Sequence, residues 1–199
     1  MRTTNKNVLS ILIFSVFFLG LTSFQAQTYH LKQNESELQV LGTSNLHDWE
    51  LGATSMKGKI SLKQSEGKLQ EVSDLTFSVK SESLLSGKSG MDKNTFKALK
   101  TSDYKTISFQ LKSVEAIKTT KPGEYLLQTT GALTIAGVTK TVSVEFQAAL
   151  TDDTISLSGS KKLRMTQFGV EPPTALFGTI KTGDDIQVDF KIFFTNTIN

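Results

Sequence analysis

Apolar and polar residues alternate through most of this chain, and no other feature constrains its fold as strongly. In the clearest run, residues 138–150, apolar side chains recur at every second position, at Val142, Val144, Phe146, Ala148 and Leu150. Successive side chains of a β-strand point to opposite faces, so this pattern indicates a strand with one dry face and one wet face. The dry face must be covered, and antiparallel sheets achieve this by pairing or by closing on themselves. We therefore predict an all-β, antiparallel fold.

The same alternation recurs along the chain. It predicts a short strand at residues 28–33 and about eight long strands, at residues 37–42, 56–62, 69–79, 107–111, 125–135, 138–150, 155–159 and 186–194. Residues that favour turns separate several of them, namely Ser65-Glu66-Gly67, Lys121-Pro122-Gly123, Thr151-Asp152-Asp153 and Thr182-Gly183-Asp184. Connections this short indicate a meander of hairpins.

One segment interrupts this rhythm. Residues 91–100 place Phe96 and Leu99 at helical spacing, and Ser89 or Asp92 could cap the start of a short helix. The alternation does not separate a closed barrel from a sandwich, because both need it. Strands as long as residues 138–150 favour a deep barrel, and barrels of about eight strands can hold one small ligand.

The first residues have a different character from the rest. Arg2 and Lys6 precede an apolar run at residues 8–21, and a short polar stretch follows it. That order is typical of a secretory signal peptide, and the run is short for a membrane span of roughly 20 residues. We predict that residues 1–26 are removed and that residues 27–199 form one domain without a membrane span. The mature protein would be periplasmic or secreted; an uncleaved N-terminal anchor is the alternative.

Composition excludes several classes of function. The chain has no cysteine, which excludes disulfides, thiolate catalysis and soft-metal sites. Packing and backbone pairing alone must therefore hold the fold together. The formal net charge of +3 falls to +1 without Arg2 and Lys6. A nucleic-acid-binding protein would instead carry a concentrated basic face, so we predict no nucleic-acid partner.

Two groups of polar residues could carry chemistry. Ser44, His47 and Asp48 have the residue types of a hydrolase triad, but a triad places its acid beyond the imidazole from the nucleophile. Neighbouring residues of a strand point to opposite faces, so a hydrogen-bonding site at the barrel rim or a plain turn explains them better. His30 and His47, with Asp48, lack a recognised metal-ligand spacing. We therefore predict neither a catalytic site nor a metal site.

Four parts of the mature sequence carry a resemblance to a known family. They are residues 42–49 with 56–60, residues 91–109, residues 131–140, and residues 168–170 with 183–186. On these residues the chain resembles the YceI-like family of exported, lipocalin-like proteins. The most specific part is similar to the family pattern G-x-L-T-x-x-G-V-T-K, and reads Gly131-Ala132-Leu133-Thr134-Ile135-Ala136-Gly137-Val138-Thr139-Lys140. Lys105-Thr106 and residues 171–178 depart from the general pattern.

The resemblance implies an extended, eight-stranded, lipocalin-like barrel with one short helix, whose apolar cavity binds a polyisoprenoid lipid, such as a quinone, in the periplasm. The protein would store or transport this lipid without a cofactor and without catalysis. A buried methylene contributes about 0.8 kcal/mol, so one five-carbon unit could supply roughly 3 to 4 kcal/mol before the tail is ordered. The alternatives are an enzyme acting on a hydrophobic substrate and a non-lipid stress-response or interaction module. Pairing of two chains into a homodimer is left open.

Apolar residues on the inward strand faces and on the helix are the predicted wall of this cavity: Trp49, Phe77, Val79, Met91, Phe96, Leu99, Phe109, Leu133, Ile135, Val144, Phe146 and Phe190. The alternative for these apolar residues is ordinary core packing and helix docking. His47 and Arg164 are predicted at the polar mouth; an arginine suits a phosphate or carboxylate head group, and a surface ion pair is the alternative for Arg164. Trp49 is either a core aromatic residue whose indole N–H bonds to the backbone or a part of the cavity wall.

Overall fold

A computed structural model of the chain describes residues 26–151 and 153–196. The predicted signal peptide, apart from Ala26, lies outside these residues. Short 3₁₀ helices lie at Gln33–Glu35, Ser81–Ser83 and Met165–Phe168, and one α-helix, α1, at Ser89–Ala98. The strands are Gln27–Leu31 (β1), Glu37–Ser44 (β2), Trp49–Ala53 (β3), Met56–Ser65 (β4), Lys68–Lys80 (β5), Leu84–Leu85 (β6), Thr106–Lys121 (β7), Glu124–Ile135 (β8), Val138–Leu150 (β9), Thr154–Arg164 (β10), Thr174–Ala175 (β11) and Ile180–Thr195 (β12).

Eight strands close into a ring. The order of neighbours is β1, β4, β5, β7, β8, β9, β10 and β12. The ring closes where β12 pairs with β1, through His30 with Thr195 and Leu31 with Phe194. All of these pairs are antiparallel. The structure thus confirms the predicted antiparallel, eight-stranded, lipocalin-like barrel with one short helix.

Three further strands lengthen one wall of the barrel. Because β12 is long, it pairs with β1 near its end and with β2 from Lys191 to Thr182. Strands β3 and β6 continue the sheet beyond β2. We call the end of the barrel that holds Ser44, Arg164 and Ile180 the open end. The opposite end, where β7 turns into β8, is the closed end.

Large side chains fill the closed end. Tyr29, Leu127 and Ile155 have almost no exposed surface, and each such side chain contributes about 1.5 to 3 kcal/mol when it leaves water. The Leu69 backbone N–H donates a hydrogen bond of 3.0 Å to the Tyr125 hydroxyl, so the polar end of this buried ring is satisfied. These residues form a solid floor for the barrel.

A seam lies between β9 and β10. Backbone pairing joins Leu150 to Ile155 near the closed end and stops at the pair of Gln147 and Ser158. Towards the open end, the 3₁₀ helix Met165–Phe168 occupies the space between the two strands, and Phe168 is buried in a small cluster with Val170. Apolar packing, rather than backbone hydrogen bonds, therefore closes this part of the wall.

The helix begins differently from its prediction. It starts at Ser89 with Lys88 as N-cap residue, and no side chain caps it. The Asp92 carboxylate instead accepts hydrogen bonds from the Ser86 backbone N–H, at 2.8 Å, and from the Ser86 hydroxyl, at 2.7 Å. The predicted cap was wrong because the carboxylate fixes the loop that leads into the helix.

The predicted turn at residues 182–184 was also wrong. These residues lie inside β12, and the register against β2 shifts between Thr182 and Ile186. A Cβ at Gly183 would lie 3.0 Å from Thr43 Oγ1, so the two strands approach closely here. Glycine and aspartate within an irregular part of a strand look like a turn in the sequence, but a bulge uses the same residues.

Candidate functional site

The barrel is hollow between its solid floor and its open end. The cavity has a volume of about 570 Å³, within the range of roughly 300 to 1,000 Å³ that is usual for small-molecule sites. Inward-facing side chains of the strands form its sides, α1 contributes Met91, Thr95 and Ala98, and residues 163–175 contribute Phe168 and Val170. The cavity is therefore an elongated apolar space closed at one end.

Most of the predicted wall residues come together around this space. The ones that line it are Trp49, Phe77, Val79, Met91, Leu99, Phe109, Leu133, Ile135, Val144, Phe146 and Phe190. Alternation explains the strand members, because every second residue of an antiparallel strand faces the same side. Their contact with a ligand stays a prediction.

Phe96 does not line the cavity, although it was predicted with the others. Met91, Thr95 and Ala98 face the cavity from α1. Successive helical residues are rotated by about 100°, so the residue after Thr95 points away from the face that these three share. Helical spacing between Phe96 and Leu99 did not identify which face of the helix turns inward.

Small residues beneath aromatic rings keep the cavity open. A Cβ at Gly42 would lie 2.1 Å from Trp49 Cζ2, and a Cβ at Gly131 would lie 2.2 Å from Phe109 Cζ. Each ring therefore lies flat on the strand, in the space that a side chain would otherwise take. Because the rings cover the wall instead of projecting to the centre, apolar surface is presented without filling the interior.

Trp49 makes the predicted indole hydrogen bond and also lines the cavity, while its contact with a ligand stays a prediction. Its indole Nε1 donates a hydrogen bond of 3.0 Å to the Thr43 carbonyl oxygen, and the ring also lines the cavity. The hydrogen bond fixes the ring against β2, which holds the wall in place at the open end.

Polar side chains surround the mouth of the cavity. Ser44, His47, Lys161 and Arg164 all border it, and both His47 and Arg164 are exposed. Within residues 26–151 and 153–196, none of the ion pairs includes Arg164. The mouth therefore offers a guanidinium group that is accessible from both the cavity and water.

A hydrogen-bonded pair fixes the loop beside the mouth. Thr166 donates to the Asp184 carboxylate from its backbone N–H, at 2.8 Å, and from its hydroxyl, at 2.6 Å. These two bonds, with the weaker attraction of Arg164, lower the pKa of the Asp184 carboxyl. The charged carboxylate thus ties the 3₁₀ helix Met165–Phe168 to β12.

Ser44, His47 and Asp48 form a turn at the rim. The Ser44 hydroxyl donates to the His47 carbonyl oxygen at 2.8 Å and accepts from the backbone N–H groups of Leu46 and His47. The His47 Nδ1 lies 2.7 Å from the Asp48 carbonyl oxygen. Ser44 bonds the backbone instead of the imidazole, so the three side chains are not arranged as a triad.

The described part of the chain contains no group of three His, Asp or Glu side chains that could hold a metal ion. Each helix in residues 26–151 and 153–196 is too short or too polar to cross a membrane.

Comparison with known proteins identifies the family. The model of the YceI-like domain matches residues 29–194. The chain belongs to the YceI-like family. The match runs from Tyr29 in β1 to Phe194 in β12 and includes every residue that lines the cavity. No curated protein matches this YceI-like chain.

Solved structures share the fold of this YceI-like protein. A polyisoprenoid-binding domain from Saccharophagus degradans has a TM-score of 0.66 and 13% identity, over 85% of this chain and 98% of that one. BcnA from Burkholderia cenocepacia has a TM-score of 0.65 and 17% identity, over 82% and 98%. A YCEI protein from Campylobacter jejuni has a TM-score of 0.55 and 18% identity, over 73% and 84%. At these identities the likeness concerns the fold alone.

Sequence reasoning missed part of the wall of this YceI-like barrel. Leu75, Val142 and Leu157 also line the cavity. Each lies on a predicted strand, on the same face as the apolar residues that alternate along it, so the alternation itself could have identified them. Phe168 and Val170 carry no periodic pattern. They reach the cavity because the chain folds back into the seam, which local sequence does not specify.

Proposed function

We propose that this YceI-like protein binds the polyisoprenoid tail of an amphiphilic lipid, such as a quinone, inside its barrel, and that it stores or transports the lipid outside the cytoplasm. One observation carries the proposal: an apolar cavity of about 570 Å³ that is filled at one end and bordered by polar groups at the other. That polarity matches a ligand with an oily tail and a polar head.

The wall can supply enough energy to hold such a tail. Each methylene that leaves water contributes about 0.8 kcal/mol, so a five-carbon unit contributes roughly 3 to 4 kcal/mol before losses. Ordering a flexible tail and immobilising the ligand offset much of this sum. A few five-carbon units inside the cavity therefore suffice for binding without a charged anchor. Each further unit adds less binding free energy than simple addition suggests.

The polar mouth orients the ligand. In the floor, Leu127 and Ile155 are apolar and buried, and the hydroxyl of the buried Tyr29 already donates to Gln27 Oε1 at 2.9 Å, so the tail enters first. The head group then remains near His47, Lys161 and Arg164. A guanidinium group binds planar or anionic oxygen atoms with two parallel N–H donors, which suits a phosphate, a carboxylate or a quinone ring carbonyl.

The family and its neighbours support this function. One structural neighbour is itself named as a polyisoprenoid-binding domain, and a signal-like N-terminus fits a protein that meets lipids at the periplasmic side. A binding role without catalysis fits the rim, because Ser44 is committed to backbone hydrogen bonds.

The direct test is to purify the protein from its cell envelope without detergent and to analyse organic extracts by mass spectrometry. We expect one prenyl lipid per chain. Titration of delipidated protein with a short-chain isoprenoid quinone should quench Trp49, the only tryptophan in the chain. Protein that is repeatedly empty and that shows no affinity for quinones would refute the proposal.

A pair of neighbouring substitutions provides the control. Phe146 faces the cavity and is buried, whereas Gln147 faces outward and is exposed. Phe146→Asp should abolish quinone quenching because it places a carboxylate against the tail. Gln147→Asp adds the same group on the outer face and should leave binding unchanged. Equal quinone affinity of a folded Phe146→Asp variant would contradict the placement of the tail.

A further inference from the structure

Two large apolar side chains protrude from the tip of a hairpin beside the cavity mouth. Leu176 is 68% exposed and Phe177 is 111% exposed, so most of Leu176 and all of Phe177 face water. The residues around them do contact the site, since Thr174, Ala175 and Ile180 all line the cavity. The tip is therefore an exposed apolar extension of the cavity rim.

The turn itself adopts a conformation that these residues disfavour. Leu176 and Phe177 have φ angles of 48° and 54°, and the Gly178 N–H donates to the Ala175 carbonyl oxygen at 3.1 Å. Two central residues with positive φ characterise a type I′ turn, where Asn-Gly is strongly preferred. Bulky residues in this region are conformational outliers. Local backbone preference therefore does not explain why leucine and phenylalanine occupy the tip.

A second loop adds a third apolar side chain. Leu46 is 64% exposed and follows Asn45, whose side-chain amide donates to the Thr179 carbonyl oxygen at 2.9 Å and whose Oδ1 accepts from the Lys181 N–H at 2.7 Å. These bonds fasten the two loops together at the open end. We call Leu46, Leu176 and Phe177 the apolar tip.

The charges near the apolar tip fit a phospholipid surface. In the hairpin that carries Leu176 and Phe177, residues 172–183 contain no carboxylate and one charged residue, Lys181, while the other loop carries one carboxylate close to Leu46, that of Asp48. A protruding apolar tip with a nearby cation inserts into the interface between head groups and acyl chains, where both are favourable. A cavity that takes up lipid tails also needs its mouth to face the membrane from which they come.

We propose that the apolar tip docks the open end of the barrel onto a phospholipid bilayer, so that a lipid passes between the membrane and the cavity without crossing water. This inference rests on the proposed lipid-binding function and names the surface that serves it. Leu46, Leu176 and Phe177 do not line the cavity, so docking and ligand binding can be separated by mutation.

The test compares the wild type with a double variant, Leu176→Asn with Phe177→Gly, in flotation with vesicles of pure phosphatidylcholine. The variant installs the pair that a type I′ turn prefers, so it should fold at least as stably. We expect its partitioning into vesicles to fall by at least about tenfold, because the variant lacks two apolar side chains that enter the bilayer in the wild type. Leu85→Ser, which removes a 37% exposed leucine outside the apolar tip, should partition like the wild type.

A second measurement separates this inference from the proposed function. Both proteins are titrated in buffer, without vesicles, with a benzoquinone that carries a decyl tail, and equal quenching of Trp49 is expected. Wild-type protein that binds this quinone but ignores vesicles, or a double variant that floats as well as the wild type, would overturn the docking inference alone. Vesicle binding that depends on the apolar tip, without any quinone binding, would support docking and reject the lipid cavity.

Discussion

A single methyl group can test how the cavity is kept open. A Cβ on Gly42 would lie 2.1, 2.5 and 2.7 Å from three atoms of the Trp49 ring, whereas ordinary contacts begin at 3.4 Å. In Gly42→Ala the ring must therefore shift by at least 1.3 Å, the difference between 3.4 and 2.1 Å. Overpacking of this kind costs about 1 to 3 kcal/mol. The shift also breaks the bond from Trp49 Nε1 to the Thr43 carbonyl oxygen, which is worth about 0.5 to 1.5 kcal/mol.

We thus expect Gly42→Ala to lose about 1.5 to 4.5 kcal/mol of unfolding free energy in urea, the sum of these two effects. Because the chain has one tryptophan, its emission maximum should move, and quinone affinity should fall as the ring leaves the wall. Gly52→Ala is the control: it lies on β3, and a Cβ there meets nothing within 4 Å, so its stability should change by less than about 0.5 kcal/mol. If Gly42→Ala unfolds at the wild-type urea midpoint with unchanged emission, the reasoning about the cavity wall is wrong.

Three further predictions concern the floor and the loop. Leu127→Ala should cost about 2 to 5 kcal/mol of unfolding free energy, with unchanged quinone affinity, because Leu127 is buried below the cavity. Tyr125→Phe should cost about 1 to 3 kcal/mol in urea unfolding, because it leaves the Leu69 N–H unpaired; a neutral result would show that water replaces the hydroxyl. The lowered pKa of Asp184 means that its carboxylate stabilises the fold above about pH 4, and that this contribution is lost as the pH falls through the lowered value. Asp184→Asn should therefore lose less stability than the wild type on acidification, and parallel pH profiles would contradict this.

Much of the fold follows from local rules. The alternation around Val144 and Phe146 identified β9 with its bounds, and it assigned inward faces to most of the strands. The preference of certain residues for turns misjudged residues 182–184, because Gly183 and Asp184 are typical of a turn, whereas here Gly183 lets β2 and β12 approach closely at an irregular part of the pairing. Phe96 was misplaced for a related reason: spacing establishes a helix, whereas its orientation depends on what it covers.

The sequence by itself determined where most of the long strands lie and which of their faces are apolar, because alternation acts between neighbours along the chain. Alternation alone gave no reason to separate Leu127 from Phe77, because both are apolar and lie on the inward face of a strand. The tertiary structure placed Leu127 in the floor and Phe77 on the cavity wall. Space inside a closed sheet depends on how strands far apart in sequence converge, and on rings that lie flat over Gly42 and Gly131. Only the closed barrel brings those residues together, so only the structure decides where the interior is solid and where it is hollow.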